Sequence, residues 1–311
     1  MELIRKGAAS CFCNPEGSVA PQIALITGFL LTLAVLFAGP LAAERPGDPG
    51  SPPPERVAHA GGGLDGRTYW NSLEALEANY AKGFRAFELD IHWSSDDRLV
   101  FVHDWGRTFR ALYGRYRPTW AKRVLASLTG SRPRPSREEY FAKGAARGFT
   151  PLSLERLAAW IEQRPGALVI TDVKEDNLRA LARIRLRYPA LAERMIPQIY
   201  RFGEFGPVTA LGFPRVILTL YRLEATDAEI LAFAGRVRPF AVTMPRKTAL
   251  ESDLAGRLHE LGIFVYAHTI NSGQTVRALR KLGVKGIYTD WLPPRGFGHG
   301  TSDQDSAIST E

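Results

Sequence analysis

Five places in this 311-residue sequence combine residue types suited to acid–base or metal chemistry. They are A-H-A-G-G-G at His59, F-E-L-D-I-H with Glu88, Asp90 and His92, and V-H-D-W with His103 and Asp104. The others are T-D-V-K with Asp172 and Lys174, and A-H-T-I-N with His268 and Asn271. In each, a short apolar run ends in the polar group. Glu88 and Asp90 are two apart, so on a strand both side chains face one side. Two inward carboxylates repel unless a proton or a cation lies between them. Oxygen ligands of that kind suit a divalent ion such as Ca²⁺ or Mg²⁺. A histidine holds or releases a proton near neutral pH. Any one of these residues alone reads more readily as a salt-bridged surface side chain or a satisfied core histidine. Five strand ends loaded in this way point to a site.

The elements that must position them are short apolar runs at 57–60, 86–91, 99–103, 168–173, 195–200, 216–221, 240–244, 264–269 and 286–289. Amphipathic stretches lie between most of them. Residues 72–82 place Leu73, Leu76 and Tyr80 on one helical face, 154–162 place Leu154, Leu157 and Ile161, and 272–282 place Val276, Leu279 and Leu282. Strand–helix alternation predicts an α/β fold with a parallel sheet, closed at this length into a TIM (β/α)8 barrel. In such barrels the active site lies at the C-terminal ends of the strands. Only residues 92–98 join the second and third runs, too few for a crossover helix. The candidates also exceed eight by one, so an irregular barrel is expected.

The chain is 45% hydrophobic and 23% charged, which excludes wholesale disorder and collagen-like repeats. Its two cysteines, Cys11 and Cys13, precede the barrel, which excludes a disulfide framework or a cysteine zinc site within it. Residues 23–43 carry no charge, and Arg5 and Lys6 lie upstream. Residues 1–43 therefore read as a signal peptide or a retained membrane anchor. Residues 44–55 form a proline-rich linker, extended and stiff. Either reading places the domain, residues 56–295, outside the cytoplasm, periplasmic or secreted, with 296–311 a polar tail.

Forty Lys and Arg against 32 Asp and Glu give a net charge of +8, which favours an anionic partner. The charge has an address. Residues 105–150 hold eleven Lys and Arg against two Glu, interleaved with eight aromatics. This basic insertion follows His103 directly and should lie at the mouth of the site. Its composition suits the surface of an anionic membrane. The same mixture suits single-stranded nucleic acid, but an exported domain has little access to it. A plain solvated lid is the remaining alternative.

The spaced set as a whole resembles the glycerophosphodiester phosphodiesterase family, within the phosphatidylinositol-specific phospholipase C-like barrels. The likeness rests on His59 with Gly61, Asn71-Ser72 opening a helix, Glu88-x-Asp90, the turn at 94–97, and His103-Asp104. Arg107-Thr108, T-P-L-S-L-E-R-L, H-T-I-N and G-V-K-G-I-Y-T-D extend it from about Val57 to Pro293. The resemblance implies hydrolysis of glycerophosphodiesters to glycerol 3-phosphate and an alcohol. It implies that Glu88, Asp90 and Asp172 hold a divalent metal (Ca²⁺ or Mg²⁺). His59 and His103 would act as general acid and base, and Lys174 would meet the phosphate. The attacking hydroxyl is water or the glycerol's own.

Three departures from the family pattern stand out. Ala60 occupies the place of an arginine, leaving Arg67 or Arg107 to replace its charge. Asp172 stands where glutamate is usual, and His268 where tryptophan is usual. Asn71 is equally a helix cap or a site contact, and His268 a substrate contact or a packed side chain. His92 reads as a loop residue and Tyr266 as core. Two rival functions remain at this stage. One is a phosphodiesterase acting on membrane phospholipids or lysophospholipids. The other is a catalytically idle barrel binding anionic lipid or phosphate, favoured only by the missing arginine.

Overall fold

The computed structural model describes residues 51–130 and 132–294. Nine strands follow the nine apolar runs: β1 (Arg56–Ala58), β2 (Ala86–Trp93), β3 (Leu99–Phe101), β4 (Leu168–Val173), β5 (Met195–Ile199), β6 (Ile217–Thr219), β7 (Ala241–Pro245), β8 (Val265–His268) and β9 (Gly286–Thr289). Eight of them pair in parallel in the order β1-β2-β4-β5-β6-β7-β8-β9, and β9 returns to β1 to close the barrel. The ninth, β3, pairs antiparallel with β2 and stands outside the ring. The seven-residue link is therefore a hairpin connection, and the surplus strand is its second arm. His92 lies within β2, not in a loop, and its Nδ1 sits 3.3 Å from Glu175 Oε1.

Alternation along the strands sorts the side chains into two sets. Phe87, Leu89 and Ile91 of β2, Val169 and Val173 of β4, and Val265 and Ala267 of β8 face outward and pack under the helices. Val57, Ala86, Leu168, Ile170, Ile196, Ile217, Ala241, Tyr266 and Tyr288 face inward and fill the lower barrel. Moving two residues along the same inward rows gives His59, Glu88, Asp172, Gln198, Thr219, Thr243, His268 and Asp290. An apolar floor thus lies beneath a polar layer at the C-terminal mouth. Tyr266 is part of that floor, fully buried, with its hydroxyl donating to Pro54 O at 2.8 Å.

The helices Leu73–Ala81, Leu154–Glu162 and Gly273–Lys281 begin where the sequence pattern places them. The hydroxyls of Ser72, Ser153 and Ser272 cap their first turns. The first of these helices also holds the loop that carries His59. Asn79 Nδ2 lies 2.9–3.2 Å from the carbonyls of Gly61, Gly63 and Ala75. Asn79 is almost wholly buried, so truncation strands these buried acceptors. Asn79→Ala is expected to lower stability by about 1–3 kcal/mol. Urea unfolding of the two proteins measures it, and a smaller change would mean that water replaces the amide.

The basic insertion forms three helices, Arg107–Tyr113, Trp120–Thr129 and Arg137–Ala145. Phe109, Leu112, Tyr113 and Tyr140 pack with Trp70, Val100 and Val102 into a small core of their own. Lys122 and Glu139 link its second and third helices at 2.5 Å. Among the described residues no helix is long and apolar enough to cross a membrane. The uncharged segment in 1–43, the start of the linker and the polar tail lie outside the described residues.

Candidate active site

The polar layer opens into a cavity lined by His59, Tyr69, Glu88, Asp90, His103, Asp172, Lys174, Gln198, Tyr221, His268, Thr269 and Tyr288. The strands bring these groups together in a definite way. Asp90 and Asp172 are register partners on β2 and β4. Glu88, Asp90 and Asp172 are buried, with ligand oxygens all within 4.8 Å of one another. Lys174 follows β4 and turns its ammonium onto two of them, 2.6 Å from Asp90 Oδ1 and 2.6 Å from Asp172 Oδ2.

One ammonium does not balance three buried carboxylates. Burial, then the charge of Asp90, pushes the Glu88 carboxyl up to about 8, although His59 and Lys174 oppose the shift. Burial also acts to raise Asp90, but Lys174 and the two histidines outweigh it and hold Asp90 at about 2. A carboxyl kept neutral in this way ionises once a hard divalent cation supplies the missing positive charge, so the donor set fits Ca²⁺ or Mg²⁺. Asp172 is one methylene shorter than glutamate, and phenols close around it. Its Oδ1 accepts from Tyr200 Oη at 2.5 Å and from Tyr221 Oη at 2.9 Å.

Both histidines are backed by a carboxylate at Nδ1, a geometry that fixes the ring and frees Nε2. His59 Nδ1 is 2.9 Å from Asp290 Oδ1, and Asn271 Nδ2 donates to Asp290 Oδ2 at 2.7 Å. His103 Nδ1 is 3.0 Å from Asp104 Oδ2, while the N–H groups of Gly106 and Thr108 donate to Asp104. Burial would depress His59. Its hydrogen bond to Asp290 and the charges of Glu88, Asp290 and Asp90 reverse this and raise it to about 9. The ring of Tyr69 stands between the two histidines, 5.0 Å from His59 and 4.4 Å from His103. Its backbone is left-handed, with φ 64°.

Other expected contacts land elsewhere. Asn71 is neither the helix cap nor part of the cavity wall, since Ser72 is the cap. Its side chain donates to Asp90 Oδ2 at 2.9 Å and accepts from the Asp90 N–H at 3.0 Å. Asn71 therefore orients one of the carboxylates of the cluster. Arg107 is exposed on the first turn of its helix, and Arg67 is exposed in the loop after β1. Neither is among the residues that line the cavity. Ala60 is itself buried, and its N–H donates to Glu88 Oε2 at 2.8 Å. Lys174 is the one lysine or arginine among the lining residues. His268 does line the cavity, its Nδ1 2.9 Å from Thr243 Oγ1. Burial, then the charge of His59, lowers it to about 4, which makes it a neutral imidazole.

Asp290, Asn271, Tyr69, Tyr200 and Tyr221 are the participants that the sequence reading did not assign. The first two do sit in recognisable strings, T-D and H-T-I-N, at the ends of β9 and β8.

Comparison with known proteins bears on what this mouth does. A curated glycerophosphodiester phosphodiesterase from Bacillus altitudinis is 25% identical over 245 residues, covering 74% of this chain and 92% of that protein. The structure of a glycerophosphodiester phosphodiesterase from Thermotoga maritima aligns with a TM-score of 0.56 at 16% identity, covering 77% of this chain and 96% of that one. A phosphodiesterase from Oleispira antarctica, solved in complex with the product sn-glycerol-3-phosphate, aligns at 0.51 and 17% identity, covering 76% of this chain and 93% of that one. The barrel is that of a phosphoric diester hydrolase. The chain belongs to the glycerophosphoryl diester phosphodiesterase family, whose model matches residues 62–292 and begins just past His59.

Proposed function

We propose that this protein hydrolyses glycerophosphodiesters to glycerol 3-phosphate and an alcohol, by paired histidine acid–base catalysis with a divalent metal. The observation that carries the reading is the pair of carboxylate-backed histidines beside a nest of three buried carboxylates. The family membership supports the substrate class, as does the product bound in the Oleispira antarctica phosphodiesterase.

Each residue has a defined task in this reading. His103 accepts the proton of the attacking hydroxyl as its oxygen bonds to phosphorus. The bond from phosphorus to the leaving alkoxide oxygen breaks, and His59 gives that oxygen its proton. His59 is the acid because its environment keeps the proton on at neutral pH. Lys174 meets a non-bridging phosphate oxygen. Glu88, Asp90 and Asp172 would hold the ion, which when bound supplies positive charge to the phosphate oxygens. Tyr200, Tyr221 and Asn71 keep the carboxylates in place. The uncharged run in residues 23–43 supports an extracytoplasmic compartment for this activity.

The direct test is release of glycerol 3-phosphate from glycerophosphocholine and glycerophosphoethanolamine, with Ca²⁺, with Mg²⁺ and with chelator. Release is expected with metal and not with chelator. Glu88→Gln combined with Asp90→Asn should weaken metal binding by about 10–100-fold or more, measured by calorimetric titration. Unchanged affinity would move the metal elsewhere, and no release under any metal would turn the reading to membrane lipid esters.

A further inference from the structure

The helix Trp120–Thr129 is built inside out. Its large apolar side chains, Trp120, Val124, Leu125 and Leu128, recur at helical spacing and share one face. That face is turned to solvent: Trp120 is 74% exposed, Leu125 62% and Leu128 79%. Only Ala126 of this helix is buried. What fastens the helix to the domain is polar. Lys122 Nζ donates to Glu139 Oε2 at 2.5 Å, Ser95 Oγ at 3.1 Å and Tyr116 Oη at 3.2 Å. Ser95 lies in the turn beyond the C-terminal end of β2, the end of the barrel at which the active-site cavity opens.

The exposed charge of the same insertion is one-sided. Arg107, Arg110, Arg115, Arg117, Arg123 and Arg132 are exposed. None of them pairs with an acidic side chain among the described residues. The occupant of the face must therefore take in apolar side chains and present negative charge around them. A second copy of the same face would set one cationic cluster against another. A nucleic acid supplies the charge but no apolar layer for leucine and valine. A bilayer with anionic headgroups supplies both. An indole at the edge of such a face suits the headgroup level.

We propose that this helix docks the barrel on an anionic lipid bilayer, with Trp120, Leu125 and Leu128 inserted at the headgroup boundary and the neighbouring arginines on the headgroups. The interaction goes beyond the proposed hydrolysis and does not depend on it.

The test uses the full chain. Its uncharged run at 23–43 can meet lipid by itself, so vesicle binding alone does not discriminate. A polarity-sensitive fluorophore on Leu128→Cys, in a Cys11→Ser, Cys13→Ser background, reports on the helix alone. The vesicles are equimolar phosphatidylglycerol and phosphatidylcholine, or phosphatidylcholine only. The expected result is a blue shift on the mixed vesicles, quenching by brominated acyl chains, reversal by salt, and little change on neutral vesicles. Arg117→Gln with Arg123→Gln should raise the lipid concentration at half-maximal shift about tenfold or more. Thermal melting of these exposed-site variants checks that each is folded. A label that stays water-like on both vesicles overturns the proposal, as does an equal shift on both. A shift without vesicles that grows with protein concentration would assign the face to a second copy instead. No arm reads hydrolysis, so failure here is distinct from failure of the proposed reaction.

Discussion

Asparagine in place of Asp290 is expected to reduce kcat for glycerophosphodiester hydrolysis by about 10²–10⁴-fold, although Asp290 is not among the residues that line the cavity. Asp290 accepts from His59 at one oxygen and from Asn271 at the other. An amide cannot accept on both sides. If its oxygen keeps His59, its NH₂ faces the NH₂ of Asn271; if it turns, His59 meets a donor and loses its tautomer. The pH profile carries a second signature. The acid form of His59 is the active one, so activity is lost as pH rises through its pKa. With Asp290 present that pKa is raised, to about 9 without metal. Removing the carboxylate leaves burial to push it down, so the alkaline limb of kcat/KM should move to lower pH. The stability that Asp290 lends the protonated ring is present below the ordinary histidine value and lost as pH rises through about 9. A variant with full kcat, or with an unmoved alkaline limb, would remove Asp290 from the catalytic arrangement.

The second large effect concerns Lys174. In Lys174→Met without metal, the Asp90 and Asp172 carboxylates lose the ammonium that lies 2.6 Å from each. Breaking a buried pair from one side costs about 3–5 kcal/mol. A divalent ion restores the counter-charge, and at a hundred times its Kd stabilises the fold by about 2.7 kcal/mol. The variant should therefore melt far below the parent in chelator, and saturating metal should bring it much of the way back to the metal-free parent. The pH dependence should also reverse. With Lys174 the Asp90 carboxyl is held at about 2, so its contribution is present above the ordinary aspartate value and lost as pH falls through about 2. Without Lys174, burial raises the same carboxyl, and acidification relieves the defect. Calorimetric melting at several pH values, with and without metal, measures both. Equal melting of variant and parent in chelator would show that Lys174 does not balance this cluster.

Much of this was legible in the residues. Two-residue alternation placed Glu88 and Asp90 on one side of a strand, and they share the cavity. The seven-residue link after β2 signalled an irregularity, which is the hairpin arm β3. Other features needed the closed barrel. The pairing of His59 with Asp290 spans 231 residues, and nothing local to either residue announces the other. Tyr69 enters the site through a left-handed backbone that no periodicity encodes. Arg107 sits beside His103 in sequence, but the helix it begins turns it to solvent. Asp172 looked too short for its place, and the phenols that surround it arrive from the ends of β5 and β6.

The join between β9 and β1 gives the molecule a built-in order of events. The acid that completes the proposed reaction comes from the first strand of the ring, and the carboxylate that tunes it comes from the last. A chain emerging from the ribosome therefore holds His59 early and acquires its partner only when the final strand has been made. Until the seam shuts, the imidazole is an ordinary one, and its proton leaves at an ordinary pH. Turnover is thus a report on closure of the ring. A chain that lacks β9 lacks Asp290 as well, and with it the carboxylate that holds the proton on His59.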